Sequence, residues 1–176
     1  MHIDTASCQS PTTSASTAAF VRASPAELAY GVTLPAAPRS PGVARAVARL
    51  VLPAHGLAEV IDPAVQVVSE LTACACRFSA SEVYLSLRCR EDTLRVTVYY
   101  SHARHANVRL GAACDLHRRM SLRVLDRVVR ACRGEWGIGG DRSSGAGTRM
   151  WANLPLSGAG AFLEGHRLPG RCRNLT

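Results

Sequence analysis

The chain contains no lysine: all 21 of its Lys and Arg residues are arginine, against 13 Asp and Glu, for a formal charge of +8. With the richness in alanine, glycine and valine this looks like high-GC coding bias. It removes the argument that arginine was chosen here for its forked geometry. The charge still favours an anionic partner, whether nucleotide, nucleic acid or an acidic protein face. The cysteines, at 8, 74, 76, 89, 114, 132 and 172, lack the paired spacing of a disulfide framework or a zinc site. They read as reduced thiols, several filling small core positions, which points to a cytoplasmic protein. No apolar run reaches membrane-spanning length, and residues 1–24 lack the apolar core of a signal peptide. There is no internal repeat and no helix-turn-helix or finger spacing, so nucleic acid is a lesser alternative as partner. No Ser/His/Asp or Cys/His arrangement can be argued from spacing.

What is present suits one domain with tails: 176 residues, 47% of them hydrophobic, suffice for a single core. Residues 1–27, rich in Ser and Thr and without periodicity, are expected to be a disordered tail. Leu28 to Leu34 alternates like a strand, ended by Pro35. Ser40-Pro41 opens a helix with an apolar stripe at Val43, Ala46, Val47, Leu50 and Val51. Arg45 and Arg49 should face water, and Pro53 and Gly56 should end the helix. Asp62-Pro63 opens a second helix, with Ala64, Val67, Val68, Leu71, Ala75 and Phe78 on one stripe. Glu70, Cys74 and Arg77 stack on its flank, where a site would lie.

Two strands with period-two alternation follow, Val83/Leu85/Leu87/Cys89 and Leu94/Val96/Val98/Tyr100, joined by a turn at Arg90–Thr93. Ser101 to Arg118 shows no pattern and reads as a long loop. Its His102, His105 and His117 could cluster with Cys114 around a metal, but unliganded loop histidines are commoner, and no metal ligand is assigned. Met120 to Arg133 is strongly amphipathic, with Leu122, Leu125, Val129 and Cys132 inward and Arg119, Arg123, Arg127 and Arg130 as a basic stripe suited to solvent or to an acidic partner. A short strand from Trp136, a glycine-rich turn and a strand over Arg149–Leu154 close the domain, and residues 157–176 are expected to be a flexible tail. The order predicts an α+β two-layer sandwich, a mostly antiparallel mixed sheet covered on one face by about three helices.

Ser69-Glu70-Leu71, the small residues after it and Arg77, with the closing run from Ser144 through Gly145, Gly147, Thr148 and Trp151-Ala152 to Leu154-Pro155-Leu156, resemble the GHKL (Bergerat-fold) ATPases. The chain is most similar to their anti-sigma-factor serine kinase branch, over about Ala29 to Leu156. The resemblance implies a pocket for ATP and magnesium and a catalytic base at Glu70. It implies cofactor contacts at Cys74, Arg77, Tyr100, Gly145, Gly147 and Thr148, a lid within 101–118, and a sigma factor or its antagonist as protein partner. A homodimer is compatible with it. Three positions depart from the family: Cys74 replaces its magnesium-holding asparagine, Tyr100 replaces its adenine-binding aspartate, and no glycine precedes the arginine-rich helix where phosphates would be wrapped. These changes predict weak or lost ATP and magnesium binding, and a regulator of transcription that acts through protein contacts. The alternative is an active serine kinase using Glu70, with Asp115 or Asn107 supplying oxygen to the metal.

Overall fold

The computed structural model describes residues 23–102, 105–140, 147–160 and 162. Strand β1 (Ala29–Pro35) leads into helices α1 (Ser40–Ala54) and α2 (Ile61–Phe78). The hairpin β2 (Glu82–Arg90) and β3 (Thr93–Ser101) is followed by α3 (Val108–Ser121), α4 (Arg123–Ala131), β4 (Glu135–Gly140) and β5 (Gly147–Pro155). The sheet runs β1-β2-β3-β5-β4, with every pairing antiparallel where the sequence allowed a mixed sheet. This is the expected α+β sandwich. No described helix is long and apolar enough to cross a membrane.

The period-two strands place Val83, Leu85, Leu87, Cys89, Leu94, Val96, Val98, Tyr100, Met150, Ala152 and Leu154 on one buried face. Helix α2 lies along that face against β2, β3 and β5, and both α1 and α4 pack on α2. Glu91 and Asp92, at φ 48 and 52, form the two-residue loop between the paired Arg90 and Thr93. Two left-handed residues in such a loop make a type I′ turn, whose twist matches the strands it joins.

The inward face of α1 differs from the expected one. Ala44, Ala48, Val51 and Leu52 are buried, whereas Val43 and Leu50 are exposed. Small residues let two helices approach closely, so contact with α2 selected the alanines over the larger apolar side chains. Arg45 does not face water alone, since its Nη1 donates to Ser69 Oγ at 2.7 Å. Gly56, at φ 72, ends α1 as expected: its N–H bonds to Pro53 O and that of Leu57 to Leu52 O, a Schellman closure.

The expected loop at 101–118 is largely helical. Asn107 caps α3 with its Oδ1, which accepts from the N–H groups of Arg109 and Leu110. No apolar period marks this helix, because its one buried residue is Arg118, while Val108, Leu110, Leu116 and Met120 are exposed. Helix α4 holds Leu125 and Val129 inward, flanked by buried Leu122 and Cys132, as predicted.

Both tail boundaries move outward. Ser24 and Glu27 form a capping box around a 3-10 turn, Pro25–Glu27, inside the stretch expected as tail, and Ser24 O accepts a hydrogen bond from the buried His55 Nδ1 at 3.0 Å. At the other end Gly158 and Ala159 are buried, so the core runs past residue 156.

Candidate functional site

The flank of α2 predicted from helical spacing faces the end of β3 and the inner side of α3. Cys74 is buried there, one turn from half-buried Glu70, whose Oε1 accepts from Gln66 Nε2 at 3.0 Å. Glu70 therefore pairs with neither Arg49 nor Arg77 among the described residues, as a surface glutamate would be expected to. Arg77 is exposed at the rim. Tyr100 lies on β3 directly opposite Thr148 of β5, and Gly147 opposite Ser101. Gly145 is outside the described residues.

Between these groups lies Arg118, a residue the sequence did not single out. It is 4% exposed, and its guanidinium carbon is 5.0 Å from the centre of the Phe78 ring and 5.9 Å from that of Tyr100. Its Nη1 reaches Asp115 Oδ1 at 2.6 Å, while Nε and Nη2 have no hydrogen-bond partner. Stacking between two aromatic faces replaces part of the lost hydration of a guanidinium. The remaining unmet donors leave polar hydrogens buried beside the two rings.

The chemistry around Arg118 is that of neutral groups. Burial pushes the Cys74 thiol up to about 11, with the Arg118 and Arg77 charges pulling against it. Burial likewise pushes the Tyr100 phenol up to about 12, opposed first by Arg118. The phenol oxygen has no partner of acceptable hydrogen-bond geometry, although Thr148 is near enough to favour the phenolate slightly. Both groups thus keep their protons at neutral pH. Magnesium needs hard, anionic or carbonyl oxygens in octahedral array, and a protonated thiol beside a guanidinium does not supply them.

The arginine stripe at 119, 123, 127 and 130 is exposed as expected, but parts of it are engaged. Arg130 Nε bonds both oxygens of Asp126, at 3.0 and 2.9 Å, and Arg119 lies over the Trp136 ring at 5.9 Å. Trp136 Nε1 also donates to Asp126, and with Arg130 it holds that carboxyl below its ordinary range.

A second feature is the bare face of the sheet. Tyr84, Ser86, Arg88, Arg95, Thr97, Tyr99 and Arg149 line a shallow groove of about 540 Å³ on the side away from the helices. Arg88 stands opposite Arg95 in the ladder, and no described carboxylate is paired with either or with Arg149. The aromatic rings lie flat: Tyr84 covers Gly31, and Trp151 covers Gly137 with Arg95 stacked 5.4 Å from its centre. Strand alternation carried the signal for this face, since the outward residues of β2 and β3 are all polar or aromatic, as are Arg149, Trp151 and Asn153 of β5.

No protein-family model matches the chain, and no curated protein sequence matches it.

Proposed function

We propose that this protein is a regulator that resembles an anti-sigma-factor serine kinase in framework, does not process nucleotide, and acts by binding an acidic protein partner in transcriptional control. The observation that carries the reading is the Arg118 guanidinium wedged between Phe78 and Tyr100, over the flank of α2 that bears Cys74. The Arg118 side chain occupies the flank to which the resemblance assigns nucleotide contacts, and a thiol and a phenol stand in place of that family's magnesium-holding asparagine and of the aspartate that accepts a hydrogen bond from adenine. Five free thiols among the described residues suit a reducing cytoplasm.

Calorimetric titration with ATP, with and without magnesium, is expected to give no binding heat at millimolar nucleotide. Magnesium-dependent binding that disappears in Glu70→Ala or Thr148→Ala would instead identify a working serine kinase.

The bare sheet face is the surface we assign to the partner. Interfaces are enriched in Arg, Tyr and Trp, and the unpaired Arg88, Arg95 and Arg149 call for negative charge opposite them. A second copy of the chain would set arginine against arginine, which disfavours self-association through this face. Single-stranded nucleic acid is held largely by bases stacked on free aromatic faces, and on this surface the Trp151 ring already has the Arg95 guanidinium over it, 5.4 Å from its centre. An oligodeoxythymidine is therefore expected to bind no more than weakly. Tight, salt-sensitive binding that weakens when Arg95 and Arg149 are changed to glutamate would transfer the assignment to nucleic acid.

A further inference from the structure

Three metal-ligating side chains converge at the end of β3. His102 follows the last residue of that strand, His105 precedes α3, and Cys114 lies in the second turn of α3. His102 Nε2 is 3.3 Å from His105 Nε2 and 3.5 Å from Cys114 Sγ, and the three ligand atoms lie within 4.8 Å of one another. A tetrahedral zinc, with nitrogen at about 2.05 Å and sulfur at about 2.3 Å, sets its ligands about 3.3 Å apart for N···N and about 3.6 Å apart for N···S. Two edges of a zinc coordination face therefore already have the required length.

The tautomer is set for binding as well. His102 Nδ1 lies 3.1 Å from Phe78 O, and a carbonyl can only accept, so Nδ1 carries the proton. In the neutral ring the lone pair is then on Nε2, pointing at His105 and Cys114. A histidine ligand held through its far nitrogen by a backbone carbonyl is a recurrent second-shell arrangement of zinc sites. Hydrogen bonding alone accounts for the cluster less well, because one lone pair on His102 Nε2 faces two candidate donors. The Phe78 ring, centred 5.9 Å from that of His102 and perpendicular to it, packs against the cluster.

We propose that His102, His105 and Cys114 bind a zinc ion, with water in the fourth position. Two imidazoles and one thiolate select a borderline-soft metal and reject magnesium. Through these ligands the ion fastens α3 to the end of β3, which matters for a helix whose only fully buried side chain is an arginine. The site does not depend on the nucleotide-pocket reading.

The test uses the untagged full chain, stripped with chelator and titrated with cobalt(II). A single equivalent is expected to produce a thiolate-to-cobalt charge-transfer band and the intense visible bands of tetrahedral cobalt, both bleached by zinc(II). Cys114→Ser should lose the charge-transfer band, and His105→Ala should bind zinc at least about a hundredfold more weakly. The variant with both Cys8 and Cys172 changed to serine should keep both signals, and circular dichroism reports the folding of each protein. No uptake by the wild-type chain, cobalt bound without the charge-transfer band, or zinc affinity unchanged in His105→Ala would overturn the proposal. If Cys114→Ser does not fold, the wild-type spectrum and His105→Ala decide it.

Discussion

Gly134→Ala is expected to destabilise the protein by about 3 kcal/mol or more, lowering its melting temperature by roughly 10 °C. The reason lies in how α4 ends. Arg133 takes φ 55, its N–H bonds to Arg130 O at 3.0 Å, and the N–H of Gly134 bonds to Val129 O at 2.8 Å. This closure brings Gly134 against β5, where an added Cβ would run into the carbonyl oxygen of Asn153 and meet Val129 Cγ1 at 3.2 Å. Neither neighbour can retreat. Asn153 is paired with Glu135 on one side and Arg95 on the other, and Val129 is fully buried. Gly139→Ala is the control, because its Cβ would meet nothing within 4 Å. That variant should match the wild type or gain up to about 1 kcal/mol from a stiffer unfolded chain. Urea unfolding of the two variants side by side makes the comparison, and equal midpoints would mean that β4 is not locked to β5 at this glycine.

Sequence patterning revealed the fold wherever the buried surface is apolar and periodic. Strands β2 and β3 have one face in the core and one in water, so the alternation from Val83 to Tyr100 was readable residue by residue. The same holds for Leu122, Leu125, Val129 and Cys132 around α4. Reading failed where the packing surface is not made of large apolar groups. Helix α1 approaches α2 through Ala44 and Ala48, which hydrophobicity ranks below the Val43 and Leu50 that face water. Helix α3 turns Cys114 and Arg118 inward, a stripe no search for apolar period would mark.

The site divides along the same line. One turn of α2 separates Glu70 from Cys74, and helical spacing alone put them on one flank. That Tyr100 meets Thr148, and Ser101 meets Gly147, depends on the register between β3 and β5. Those strands are separated by α3, α4 and β4, so no local signal could fix the pairing. Arg118 was hidden for a different reason: in a chain with no lysine, one more arginine carries no information until its burial is known. The cluster of His102, His105 and Cys114 was visible as a set of residue types, but its three-cornered geometry required Asn107 to start a helix that returns Cys114 to the strand end.

Alkaline conditions should weaken the fold steeply, by on the order of 5 kcal/mol between about pH 9 and pH 12. Cys74 rises from an ordinary 9.0 to about 11 and Tyr100 from 10.0 to about 12, both chiefly through burial. The sign follows from which state ionises first. Below about pH 9 both groups are protonated in the folded and unfolded chain alike, and nothing is lost. Above it the unfolded thiol and then the unfolded phenol release protons that the folded protein retains, so each pH unit favours unfolding by about 1.4 kcal/mol per group until the folded group also ionises. General charge repulsion works the other way, since ionising acids reduces a net charge of +8. The arginines keep their charge throughout this range, so the loss belongs to the buried acids. Tyr100→Phe separates the two sources. It keeps the ring beside Arg118 and deletes an oxygen that has no hydrogen-bond partner. Near pH 8 it should therefore be at least as stable as the wild type. Its urea midpoint should fall less between about pH 10 and pH 12, and Cys74→Ala should flatten the curve about one unit earlier. A wild-type midpoint that holds to pH 11, or a double variant as alkali-sensitive as the parent, would mean that thiol and phenol are hydrated rather than sealed around the guanidinium. The space beside Arg118 would then be open to water, and to a ligand.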